Sequence, residues 1–193
     1  TLAWSSAASD VYKRQDDFNI NGITEINYDG VSSTVQAVQN NAQANIYGFE
    51  AGFQARLTKD IEITSQFSLT KGRQKNTHNA EVPVRHVAPA FGNVHLLWKH
   101  KKITLDGFIN YSAGLTYKDI SHELSNHLFA IDANGNPYAP AWMTFNIRAQ
   151  YQFTENLSFV SALENISNEG YRPFASGISG PGTHLIFAIT YKN

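Results

Sequence analysis

The sequence predicts an all-β protein, a segment of an antiparallel transmembrane β-barrel of about eight strands with short periplasmic turns and long extracellular loops. Three observations carry this. From residue 16 onward, apolar and polar residues alternate with a period of two over most of the chain, the pattern of strands with two unlike faces. The connections alternate in length, short at 58–60, 100–102 and 154–156 and long at 71–89, 116–140 and 165–182. Aromatic residues make up 12% of the chain and charged residues only 16%, an unusual balance for a surface that meets only water.

The remaining composition sets bounds. No run of eighteen apolar residues is present, so no helix long enough to span a bilayer is predicted. A mean hydropathy of -0.33 is compatible with barrel strands, which are half polar by construction. The chain has no cysteine, so no disulfide framework is expected. A net charge of -1 without a basic stripe argues against nucleic acid as a partner.

Residues 1–15 show neither periodicity nor a signal-peptide layout. Asp10 to Gln15 reads as one frame of a transposon end used to prepare shotgun DNA libraries, so residues 1–15 are expected to be a non-native, adapter-derived segment without regular pairing. Residues 16–193 are then the part to be folded. Phe18, Ile20, Thr24, Ile26 and Tyr28 share a face before Asp29-Gly30 breaks the run, which predicts a first strand. Next, Tyr47, Phe49, Ala51, Phe53, Ala55 and Leu57 alternate with small or polar residues, and after the turn at 58–60 so do Ile61, Ile63, Phe67 and Leu69. Val94, Leu96 and Trp98 form the next apolar row, Ile103 to Leu115 the one after His100-Lys101-Lys102, and Met143, Phe145, Ile147, Ala149, Tyr151 and Phe153 another. A turn is expected at Asn134-Gly135-Asn136-Pro137. The last two runs are 157–164 and 183–191, the latter placing Leu185, Phe187, Ile189 and Tyr191 opposite His184, Ile186, Ala188 and Thr190. Trp98, Tyr151, Phe153 and Tyr191 all fall beside the short turns, where an interfacial aromatic girdle belongs.

Several stretches also resemble a known family. Glu164-Asn165, then Gly170-Tyr171-Arg172, Ser176-Gly177-Ile178 and Pro181-Gly182 resemble the last surface loop of TonB-dependent outer-membrane receptors, and Gln39-Asn40, Ala44, Ile46, Gly48 and Glu50 resemble an earlier strand of the same family. The sequence departs from the family pattern at Thr183, where Arg is usual, and in having Lys192-Asn193 after the final aromatic. The resemblance implies that residues 16–193 are the C-terminal part of the barrel of such a receptor, in the outer membrane of a Gram-negative bacterium. It implies TonB-energised uptake of a scarce ligand such as an iron–siderophore, cobalamin or a glycan. TonB would act through a plug domain that does not lie in this sequence. Gly182, Leu185, Phe187, Ile189 and Tyr191 match the C-terminal signal read by the barrel-assembly machinery. The rival expectation is a self-contained eight-stranded outer-membrane barrel with a structural or binding role.

Candidate chemistry is sparse. His122 and His127 share a loop, but without a carboxylate or cysteine frame they do not make a zinc site. Ser121-His122-Glu123 holds triad residue types, yet adjacent residues on one loop do not build a nucleophile–base–orienter geometry. No catalytic residue, metal or cofactor is therefore expected, and no enzyme. The polar row of Glu50, Gln54, Arg56, Glu62, Gln66, Asp106, Asn110, Arg148, Gln150 and Gln152 is expected to face a water-filled lumen or a plug, with the opposite apolar face against outer-membrane lipid. On that reading Phe145, Ile147, Phe187 and Ile189 meet lipid, while Asn146 and Gln150 tolerate replacement. Tyr117, His122, His127, Tyr171 and Phe174, in the long loops, are the candidate contacts for a small-molecule or glycan ligand.

Overall fold

The computed structural model describes residues 8–10, 13–17, 24–40, 44–75, 80–121 and 128–192. In chain order its strands are β1 (Ala8–Asp10), β2 (Lys13–Asp17), β3 (Glu25–Tyr28), β4 (Val31–Thr34), β5 (Gln36–Asn40), β6 (Ala44–Arg56), β7 (Ile61–Lys75), β8 (Glu81–Pro83), β9 (Phe91–His100), β10 (Ile103–Ser112), β11 (Ala130–Ile131), β12 (Pro137–Tyr138), β13 (Trp142–Gln152), β14 (Leu157–Glu164) and β15 (His184–Tyr191). A short 3-10 turn lies at Tyr117–Asp119.

One nine-stranded antiparallel sheet holds most of the described strand residues, in the order β1-β6-β7-β9-β10-β13-β14-β15. β8 continues the position of β9 along the outer half of β7, pairing with Arg73 to Lys75 where β9 pairs with Ile61 to Ser68. The path is a meander that ends in two edges, with β1 and β15 at opposite ends. The predicted strands from residue 46 onward are thus wall strands.

Register fixes the faces, because residues directly opposite in an antiparallel pair point to the same side. Starting from Phe145 on β13, the row runs through Ile109 to Val94 and Ser65, and neighbouring rows join Ile147 to Leu163 and Leu185. Those residues make one apolar face. Starting from Arg148, the row on the other side runs through Asp106 to Leu97 and Glu62 and then Arg56.

The burial is inverted relative to a water-soluble sheet. On β10, β13 and β14 the buried side chains are Asp106, Phe108, Ser112, Thr144, Asn146, Ser158 and Ala162, all on the polar face. The apolar face carries the exposed ones, including Met143, Phe145, Ile147, Leu185, Phe187 and Ile189 at 45–74% exposure. Such a continuous apolar surface is stable only when something other than water covers it.

Two of the short turns use the same chemistry. Thr58 Oγ1 accepts from the backbone N–H of Asp60 and Ile61, and Thr154 Oγ1 accepts from Asn156 and Leu157. A threonine three residues before the returning strand closes each turn through its own hydroxyl.

The expectations about pairing near the N-terminus do not hold. Ala8–Asp10 pairs with Ala44 to Ile46 at the sheet edge and Lys13–Asp17 pairs with Gln36–Asn40, so regular pairing does extend into residues 1–15. The predicted first strand is not a wall strand either: residues 18–23 lie outside the described residues, and Glu25–Tyr28 folds back on Val31–Thr34. Asp29 and Gly30 have φ of 51° and 78°, the positive values that a two-residue primed hairpin turn requires. The alternation there is satisfied by a local hairpin. The long connections also carry more structure than expected, since β7 runs on to Lys75 and the 116–140 segment contains the β11–β12 hairpin around Gly135, φ 82°.

Candidate functional site

The ten polar residues singled out from the sequence share the polar face of this sheet, by register. They are joined by residues that the alternation alone did not mark. His95 Nδ1 lies 3.0 and 3.1 Å from the two carboxylate oxygens of Asp106, and since a carboxylate only accepts, Nδ1 carries the proton. The His95 ring stacks on Phe108 at 4.9 Å, and the Arg148 guanidinium sits 5.3 Å above the same ring. Arg148 reaches Glu164 at 3.5 Å, and His184 Nε2 lies 3.6 Å from the other Glu164 oxygen. A strip of ionisable side chains therefore crosses β9, β10, β13, β14 and β15.

Above the strip, the base of the last loop is tied by Asn165, 2% exposed and at φ 51°. Its amide donates 2.9 Å hydrogen bonds to the carbonyls of Glu169 and Pro181, and its Oδ1 accepts from the Glu169 N–H. Thr183 donates its hydroxyl to the Asn165 carbonyl, and the Asn165 N–H donates to Oδ1 of Asn146. Asn146, also buried, donates its amide to the carbonyls of Phe108 and Thr144. This arrangement argues against the expectation that Asn146 tolerates replacement, because losing its side chain leaves the buried Asn165 N–H without its acceptor. Strand position alone could not show it, since the partners come from three segments.

Farther along, the Tyr171 ring packs 4.5 Å from Trp142 and covers Gly180, whose N–H donates to the Tyr171 carbonyl. A Cβ on Gly180 would collide with that ring, so this close approach needs glycine. Gly182 likewise leaves room for the Asn168 side chain, whose Oδ1 accepts from the Thr183 N–H.

Between the wall and these loops lies a cavity of about 1030 Å³. Its floor is formed by Glu50 and Gln66 within β6 and β7 and by Asn93 and Asn110 near the long-loop ends of β9 and β10, and His86, Ala88, Pro89 and the segment 173–175 contribute to its lining. The candidate contacts are distributed unevenly around it. Phe174 lines it, but also packs 5.9 Å from Phe129 in a small core with Ile120 and Leu115. Tyr171 and Phe174 line a smaller neighbouring cavity of about 410 Å³. Tyr117 sits in the 3-10 turn, and His122 and His127 lie outside the described residues. Phe91 and Trp142, which line the larger cavity, were not singled out from the sequence. Among the described residues no group of three or more His, Asp or Glu is placed to hold a metal ion.

Residues 8–166 match the family model described as TonB dependent receptor-like, beta-barrel. The chain belongs to that family. The TonB-dependent receptor barrel is an outer-membrane structure of Gram-negative bacteria, which accounts for the apolar face. No curated protein matches the chain significantly in sequence. Among solved structures, the copper transporter OprC superposes with a TM-score of 0.68 at 15% identity, over 96% of this chain and 29% of that one. The siderophore receptor PiuA of Acinetobacter baumannii gives 0.56 at 14% identity over 96% and 26%. The ferric enterobactin receptor PfeA of Pseudomonas aeruginosa gives 0.60 at 13% identity over 97% and 27%. The chain spans under a third of the length of these structures. In the TonB-dependent receptor wall, Gly182 lies two residues before β15, and Leu185, Phe187, Ile189 and Tyr191 fall along its apolar face, paired with Leu163, Ser161, Phe159 and Leu157.

Proposed function

We propose that the chain forms part of the barrel wall and ligand-binding loops of an outer-membrane receptor that imports a scarce ligand with energy delivered by TonB. The observation that carries this reading is the cavity of about 1030 Å³ between the polar wall and two loop segments at one end of the sheet, the concave, partly apolar setting that suits a small ligand. The polar row from Glu50 to Gln152 faces the lumen and a plug, while Phe145, Ile147, Phe187 and Ile189 face lipid. Tyr117, His122, His127, Tyr171 and Phe174 remain the proposed loop contacts. The reading as transport rather than catalysis draws support from family membership. A self-contained eight-stranded barrel would need β1 to pair with β15, and these strands are the two ends of the sheet path.

The test is uptake by cells carrying the full-length gene. A panel of ferric siderophores, cobalamin and neutral oligosaccharides should include one whose accumulation depends on this gene and stops when TonB is deleted or the proton-motive force collapsed. Accumulation that survives both treatments would count against the proposal.

A further inference from the structure

We propose that the larger cavity is a binding site for a neutral, polyhydroxylated ligand, an oligosaccharide, with Phe91 as its stacking platform. This rests on the reading of the chain as part of an import receptor. Phe91 is an anomaly in the wall. Of the exposed large apolar side chains on the described wall strands, nearly all lie on the lipid-side face; Phe91, 48% exposed, and Ile186 of the edge strand lie on the polar one. Because Phe91 also lines the cavity, its exposed ring offers a flat apolar face on which a ligand held there can stack.

Its surroundings say which ligand. Register puts Ser68 and Ser112 on either side of Phe91, with Trp142 beyond Ser112. One step further into the wall, Gln66, Asn93 and Asn110 form a row of three primary amides, with Asn93 Nδ2 3.5 Å from Gln66 Oε1. Each amide offers donors and an acceptor together, which matches hydroxyl groups that both give and take a proton. A sugar ring presents a face of C–H bonds to an aromatic platform and a rim of such hydroxyls to its neighbours.

Charge decides against the alternatives. The residues lining the cavity include Glu50 and His86 but, among those described, no lysine or arginine. Anionic iron chelates are recognised through guanidinium and ammonium groups, whose fixed positive charge offsets theirs, and a carboxylate in the wall repels them. A small cation would want several ring faces around it, whereas the Trp142 ring is engaged by Tyr171 and Phe174 by Phe129. The volume, about 1030 Å³, stands at the upper end of the roughly 300–1,000 Å³ of small-molecule sites and suits several linked sugars better than one.

Isothermal titration of the purified full-length receptor with maltohexaose, cellohexaose, xylohexaose and mannohexaose, beside a ferric tricatecholate and choline, tests this. At least one sugar should bind, with Phe91→Ala and Asn110→Ala each weakening it roughly three- to tenfold, as loss of one stacking or hydrogen-bonding contact does. Phe91→Trp should keep the affinity, and the heat-modifiable barrel should be recovered in equal amount for every variant. No sugar binding, sugar binding indifferent to Phe91→Ala, or preferential binding of the tricatecholate or choline overturns the proposal. TonB-dependent uptake of a non-sugar would overturn it while leaving the receptor reading intact. Sugar binding through Phe91 without TonB-dependent uptake would sink the receptor reading alone.

Discussion

At the scale of residues, the pair Asn146 and Asn165 does what neither could do alone. Asn146 links β10 and β13 to the start of the last loop, and Asn165 then links both ends of that loop, so strand order and loop geometry share one buried node. Asn146→Ala should cost roughly 1–3 kcal/mol, the penalty for unpaired buried polar groups, whereas Gln150→Ala, at an exposed position of the same face, should change little. Urea-driven unfolding of the full-length barrel in lipid checks both; equal effects would show that the node contributes nothing. The sequence displayed the two asparagines but not their partnership, because register brings residues nineteen apart into contact and register is invisible to alternation. Phe91 escaped for a related reason. The apolar row was legible only from Val94 onward, and pairing with Ser68 and Ser112 is what extends β9 back to Phe91 and so places it on the polar side.

At the scale of elements, β13 separates its two faces most sharply, with Thr144 and Asn146 buried between exposed Met143, Phe145 and Ile147. If that exposed row meets lipid, Phe145→Lys or Ile147→Lys near the midplane should destabilise the barrel by roughly 2–4 kcal/mol. Folding yield into lipid vesicles measures this, and yields matching wild type would place the row in water. The β11–β12 hairpin offers a pH test. The Asn136 backbone N–H, then that of Asn134 and the Asn136 side chain, hold the Asp132 carboxyl below its usual value, together outweighing the opposing effect of desolvation. A lowered folded pKa means the stabilisation is complete above the unfolded value of about 3.9 and fades as pH falls through the lower folded value. Protection of the Asn134 and Asn136 amides, taken relative to the intrinsic exchange rate at each pH, should therefore fall only at acid pH, and Asp132→Asn should remove that dependence; protection unchanged across the range would exclude the role. Elements were legible wherever alternation ran long enough to span a wall strand. They were misread at 25–28, where a short hairpin obeys the same period, and in the long connections, where β8 and the β11–β12 pair are too brief for any period to show.

At the scale of the whole molecule, the open sheet is the governing fact. β1 contributes three residues at one edge and β15 eight at the other, and the path does not join them. Every unpaired N–H and C=O on an edge strand in hydrocarbon costs several kcal/mol, so an open sheet cannot persist in a bilayer. The apolar face requires the bilayer; the edges forbid it without further strands. Both demands are met when the sheet is one arc of a larger closed wall, as its coverage of under a third of each solved receptor allows. The 193 residues expressed alone should therefore aggregate in detergent or stay sensitive to protease, with backbone amides of β15 on the side away from β14 exchanging freely. Co-folding with the remaining barrel strands should protect them. A protease-resistant, heat-modifiable monomer from this chain alone, with β1 or another strand paired along His184–Tyr191, would mean that the arc closes on itself and that the ligand cavity belongs to a small barrel.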